Sequence, residues 1–149
     1  MSFIRKVATI AAIVAAGAGS LFIAQAPAQA GAYGCAGSLV ESKSLSKYST
    51  NYGNIYLYWD GSKNCAVFVK NNSTASGTRA MTVEIESGNY VSGTWRRSVL
   101  KQDAGSYTTY AGPVSVNGAN LCVRASAWMD VPGHTSGREY LGKTADHCG

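Results

Sequence analysis

Acidic side chains are scarce in this chain: eight Asp and Glu stand against thirteen Lys and Arg in 149 residues, and charged residues make up only 14% of it. So few charges, beside 17 glycines and nine tyrosines, fit β-structure better than a helical bundle. Histidine occurs only twice and there is no Cys-x-x-Cys pair. The adjacent His147-Cys148 lacks a second pair of ligands, which sets a zinc site aside. No Gly-x-Ser-x-Gly elbow and no Gly-x-x-x-x-Gly-Lys-Ser/Thr loop occurs, so a hydrolase nucleophile turn and a phosphate cradle both lack their motif. Helical periodicity of useful length is missing after residue 30.

What is present begins with residues 1–30, which have the three parts of an export signal. Arg5 and Lys6 precede an apolar run from Val7 to Ile23, and Ala28-Gln29-Ala30 supplies a small-x-small cleavage site. The run is shorter than the ~20 apolar residues of a spanning helix, so a cleaved signal peptide is expected rather than a membrane anchor. No second arginine joins Arg5-Lys6, which points to general secretion and not the twin-arginine route. Cleavage after Ala30 would leave residues 31–149 as a single secreted β-domain. Eleven basic and eight acidic residues then give +3. The basic residues are scattered, with Arg96-Arg97 their only adjacent pair, and no nucleic-acid stripe forms.

Cys35, Cys65, Cys122 and Cys148 all fall in that domain. An even count in an exported chain reads as two disulfides. Of three connectivities, Cys35–Cys65 with Cys122–Cys148 is favoured, because each bridge would pin one chain end to a neighbouring strand. In the chain-entropy model each loop is worth about 3 kcal/mol.

Short alternating segments imply strands. In Asn54 to Trp59, Ile55, Leu57 and Trp59 share one face and Tyr56 and Tyr58 the other. The polar loop Asp60 to Asn64 suits a hairpin into the segment Cys65 to Lys70. Thr78 to Glu86 sets Met81, Val83 and Ile85 against Thr82, Glu84 and Glu86, whose face is expected to meet water. Further strands are expected at Gly93 to Gln102, Ser106 to Ala111, Val114 to Val116 and Asn120 to Trp128. Turns are expected at Asp103-Ala104-Gly105 and Asn117-Gly118, and Asp130 to Gly137 reads as a long loop. The fold class is all-β: a small antiparallel β-sandwich or barrel stapled by two disulfides.

Chemistry is harder to find. A hydrolase would need His134 or His147 in one concave pocket with a carboxylate and a nucleophile, and neither histidine lies in a motif that builds one. Glu84 and Glu86 lie along one strand, whereas a glycosidase needs its carboxylates across a cleft. No catalytic residue, metal ligand or cofactor site is therefore assigned. The aromatic residues Tyr56, Tyr58, Tyr107, Tyr110 and Trp128 are candidate contacts for sugar rings. Cross-strand packing, worth ~0.2–1 kcal/mol per pair, is the competing use. Tyr107 and Tyr110 are three apart and would face opposite sides of one regular strand, which favours packing over a shared platform.

The blocks NIYLYWDGSKNCAVFVK and SYTTYAGPVSVNGANLCV, with the terminal DHCG, resemble spore-associated protein A of spore-forming actinobacteria. The likeness covers most of residues 33–149; the chain departs from it at Arg96-Arg97 and at DVPGHTSG. The resemblance implies a small protein of the spore or cell surface, with no catalytic residue to carry over. The expectation is thus a secreted, non-enzymatic protein of the spore or cell envelope, with cell-wall or spore-surface polysaccharide as partner. The alternative is a carbohydrate-binding module, or an inhibitor or hydrolase acting at the cell wall.

Overall fold

A computed structural model describes residues 31–149. The expected signal peptide, residues 1–30, lies outside the described residues. Strands β1 (Ser38–Lys47), β2 (Thr50–Trp59), β3 (Lys63–Lys70) and β6 (Tyr110–Asn117) form one antiparallel sheet in the order β1-β2-β3-β6. The second sheet runs β5-β4-β7-β8, from β4 (Arg79–Val91), β5 (Thr94–Tyr107), β7 (Cys122–Asp130) and β8 (Arg138–Lys143). The short β9 (His147–Cys148) pairs with the start of β7.

The two sheets stack as a sandwich because each has one apolar face. Leu45, Ile55, Leu57, Ala66 and Phe68 come from the first sheet, and Met81, Val83, Ile85, Val123, Ala125 and Met129 from the second. All are buried in one cluster. The period-two reading of β2 and β4 therefore holds for Ile55, Leu57, Met81, Val83 and Ile85. Both expected disulfides are present, Cys35–Cys65 and Cys122–Cys148. They fit an oxidising, extracellular-type environment. No helix among the described residues is long and apolar enough to cross a membrane.

Three local expectations are corrected. Asp103-Ala104-Gly105 is not a turn but lies inside β5, where Val83 pairs with Asp103 and Met81 with Gly105. The turn-forming residues serve tertiary contacts instead. The Asp103 carboxylate accepts the Tyr107 hydroxyl and the Gly112 N–H, both at 2.6 Å. Gly105 leaves room for the Tyr107 ring, which a Cβ would meet at 2.9 Å.

Ser106 to Ala111 is not one strand either. The chain turns at Thr108-Thr109 and crosses from the second sheet to the first, so Tyr107 ends β5 and Tyr110 begins β6. Gly112, at φ +104°, then forms with Pro113 a bulge opposite Val67. The third correction concerns the face of Thr82, Glu84 and Glu86. It is only partly wet, with Thr82 buried and the Glu86 side chain 16% exposed.

Candidate functional site: a groove on the five-stranded sheet

Alternation sends every second residue of β4, β7 and β8 away from the core, and the registers bring those residues together. Trp128 pairs with Thr82 on one side and Tyr140 on the other. Ser126 likewise links Glu84 to Lys143, and Arg124 faces Glu86. These rows line a groove of about 430 Å³, with Trp95 and Arg97 of β5 closing one end. Glu84 and Trp128 also border an adjoining depression of about 210 Å³ that reaches Gln102 and Arg138.

The aromatic rings are positioned by one another. Trp128 and Tyr140 lie 5.3 Å apart, centroid to centroid, tilted by 57°. Trp95 meets Tyr90 edge-on at 5.4 Å, and the Arg124 guanidinium lies over its ring at 4.2 Å. The indole N–H of Trp95 is buried and has no partner among the described residues.

The two carboxylates differ in their surroundings. Glu86 is bonded to the Arg124 Nε, with Arg97 at 3.8 Å. Glu84 makes no hydrogen bond or ion pair among the described residues. Burial first, and then the neighbouring Glu86, push its carboxyl above the usual range, against a smaller opposing pull from Arg97. The groove thus offers apolar ring faces, one loosely held acid and several cations.

Of the five aromatic residues read as candidate contacts, only Trp128 lines this groove. Tyr56 and Tyr110 lie on the opposite side of the molecule. Tyr33 joins them there, 5.9 Å from Tyr56 and 5.3 Å from Tyr110. Tyr58 is buried with Val67 and the Cys35–Cys65 bridge under the N-terminal segment. That cover is tight: a Cβ at Gly31 would stand 2.9 Å from the Tyr58 ring. Tyr107 packs against the core, and Tyr110 is 36% exposed.

Each histidine has a carboxylate neighbour. His134 stacks on Tyr48 at 4.1 Å, with Glu139 3.6 Å away. Glu139 also takes the Tyr48 hydroxyl and the Lys47 ammonium, each at 2.8 Å. The Lys47 and Tyr48 bonds hold its carboxyl down at about 2. His147 lies 2.6 Å from Glu41, which also accepts the Ala145 N–H, so the pair ties β9 to β1. His147 borders a cavity of about 240 Å³ whose lining holds no serine or threonine, and whose one cysteine, Cys148, is in a disulfide.

Trp95, Tyr140, Arg124 and Lys143 went unassigned as site residues in the sequence. Alternation in Cys122–Asp130 already implies that Arg124, Ser126 and Trp128 share a face. Strand pairing alone adds residues 95, 140 and 143 to it. Comparison with protein-family models, curated proteins and solved structures returns no match for this chain.

Proposed function

We propose that this protein is exported and acts without catalysis at the cell or spore envelope, holding envelope polysaccharide in the groove of the five-stranded sheet. The carrying observation is the Trp128–Tyr140 pair, set among polar and charged side chains on an open β-face. Ring faces of this kind stack on the C–H faces of sugars, while neighbouring donors and acceptors take up the hydroxyls. The wall contributed by β7 and β8 carries Arg124, Ser126, Trp128, Tyr140 and Lys143 but no carboxylate, which favours binding over glycoside hydrolysis. The resemblance to spore-associated proteins supports the envelope as the setting.

The test is co-sedimentation of the secreted protein with purified cell-wall and spore-surface polysaccharide. Retention that falls about tenfold in Trp128→Ala, without release of reducing ends, is expected. No retention on either material, or retention unchanged in Trp128→Ala, contradicts the reading.

A further inference from the structure

The groove's charges point to one class of sugar. Arg97, Arg124, Arg138 and Lys143 project into the groove and the adjoining depression, against two lining carboxylates, Glu84 and Glu86 of β4, and Asp146 behind them, 3.8 Å from both Arg124 and Lys143. Those charges are unevenly occupied. Glu86 is engaged by Arg124 and Arg97. Among the described residues Arg138 meets only uncharged oxygens, the Thr82 hydroxyl at 2.7 Å and the Met81 carbonyl. Lys143 has Asp146 at 3.8 Å and keeps a side chain 45% exposed.

Position reinforces the imbalance. Arg138, Tyr140 and Lys143 follow one another along β8, paired with Asp130, Trp128 and Ser126. A cation therefore stands on each side of the Trp128–Tyr140 pair, with Arg138 two residues, or ~7 Å of extended strand, from Tyr140. A sugar ring seated on that pair has an ammonium or a guanidinium within reach of its substituents. The guanidinium fork matches a carboxylate in particular.

Resting on the reading of the groove as a glycan site, we infer that its ligand is a carboxylate-bearing glycan, such as a polyuronate or a sugar with a carboxyalkyl ether. The aromatic pair holds the ring, and Arg138 and Lys143 take the carboxylates. Glu84, which forms no ion pair among the described residues, can accept hydroxyl hydrogen bonds from the ring.

Polygalacturonate and its fully methyl-esterified form share a backbone and differ in charge, so their binding by the secreted protein is the test, with purified envelope polysaccharide in parallel. The acid form should bind at least about tenfold more tightly than the ester, with an affinity that falls as salt rises. Lys143→Gln, at an exposed position, should narrow that preference, and Arg138→Gln should narrow it further. Trp128→Ala should weaken binding of both polymers about tenfold. Equal binding of acid and ester, or a preference unmoved by Lys143→Gln and Arg138→Gln, overturns this inference. If the envelope polysaccharide is still retained through Trp128, the glycan-site reading survives that result. If neither polymer nor envelope polysaccharide binds, both fail.

Discussion

The outer faces of the two sheets cover the same core, and both carry aromatic rings, yet they use them differently. On the four-stranded sheet, Tyr58 and Val67 are sealed beneath the segment that Cys35–Cys65 staples down, and Tyr33, Tyr56 and Tyr110 cluster at its margin. Ser42, which pairs with Tyr56, and the Ser44–Asn54 pair of the next outward row are uncharged. On the five-stranded sheet the aromatic pair Trp128–Tyr140 stands open among arginines, a lysine and two glutamates. Aromatic content alone therefore does not locate a binding face. Rings covered by their own chain contribute to stability, and rings left open beside unneutralised charge are available to a ligand.

Removing the covered ring should show this contrast most strongly. Tyr58→Ala should cost about 3–5 kcal/mol in chemical denaturation, as deletion of a buried large aromatic does, and leave glycan retention unchanged. Replacing Cys35 and Cys65 together by serine should cost about 3 kcal/mol, again with groove binding retained in the folded fraction. A loss of binding in either variant at temperatures where it remains folded would move the ligand surface to the tyrosine face.

Tyr107→Phe has a smaller expected cost, about 1–2 kcal/mol, because it removes the hydroxyl bond to Asp103 at the corner joining the sheets. It also carries a pH signature. The hydrogen bond to Asp103 and then burial push the Tyr107 phenol up to about 12, above its ordinary value of 10. Its contribution is fully present below pH 10 and is lost as pH rises through 12. Denaturation measured between those limits should show a decline in the native protein that is shallower in Tyr107→Phe.

Glu84→Gln should have the least effect on stability. The folded protein favours the neutral acid, so ionised Glu84 is a small burden at neutral pH that eases as pH falls through its raised folded value. The groups around it are Glu86 on its own strand, Arg97 and Gln102 from β5, Ser126 from β7 and Lys143 from β8. At pH 7 the variant should match or slightly exceed the native protein in thermal unfolding; a clear loss would mean that Glu84 is paired in solution.

Legibility of the fold tracks how strongly each segment alternates. Met81, Val83 and Ile85 announced their strand because they alternate with Thr82, Glu84 and Glu86, and the cysteines were legible through their even count in a chain expected to be exported. The edge strands β1 and β8 went unread. In β1 Leu45 alone is buried, and its serines and lysines belong to an edge that meets water. β8 is only six residues long and buries Leu141 alone.

β5 was cut short at Asp103 because Asp-Ala-Gly is turn chemistry, and only the later Tyr107 and Gly112 reveal why an aspartate is wanted there. The groove was legible by fragments. Glu84, Glu86 and Trp128 were each read as outward or as candidate contacts, but their assembly with Trp95 and Tyr140 depends on register, which no single segment encodes.

The central claim, that the ligand face belongs to the five-stranded sheet, is tested most directly by amide and indole chemical-shift mapping during titration with soluble envelope polysaccharide fragments. The account predicts shifts at Trp95, Trp128, Tyr140 and Lys143, with Tyr33, Tyr56 and Tyr110 unmoved. Shifts concentrated on Tyr33, Tyr56 and Tyr110, with Trp95 and Trp128 silent, would contradict it.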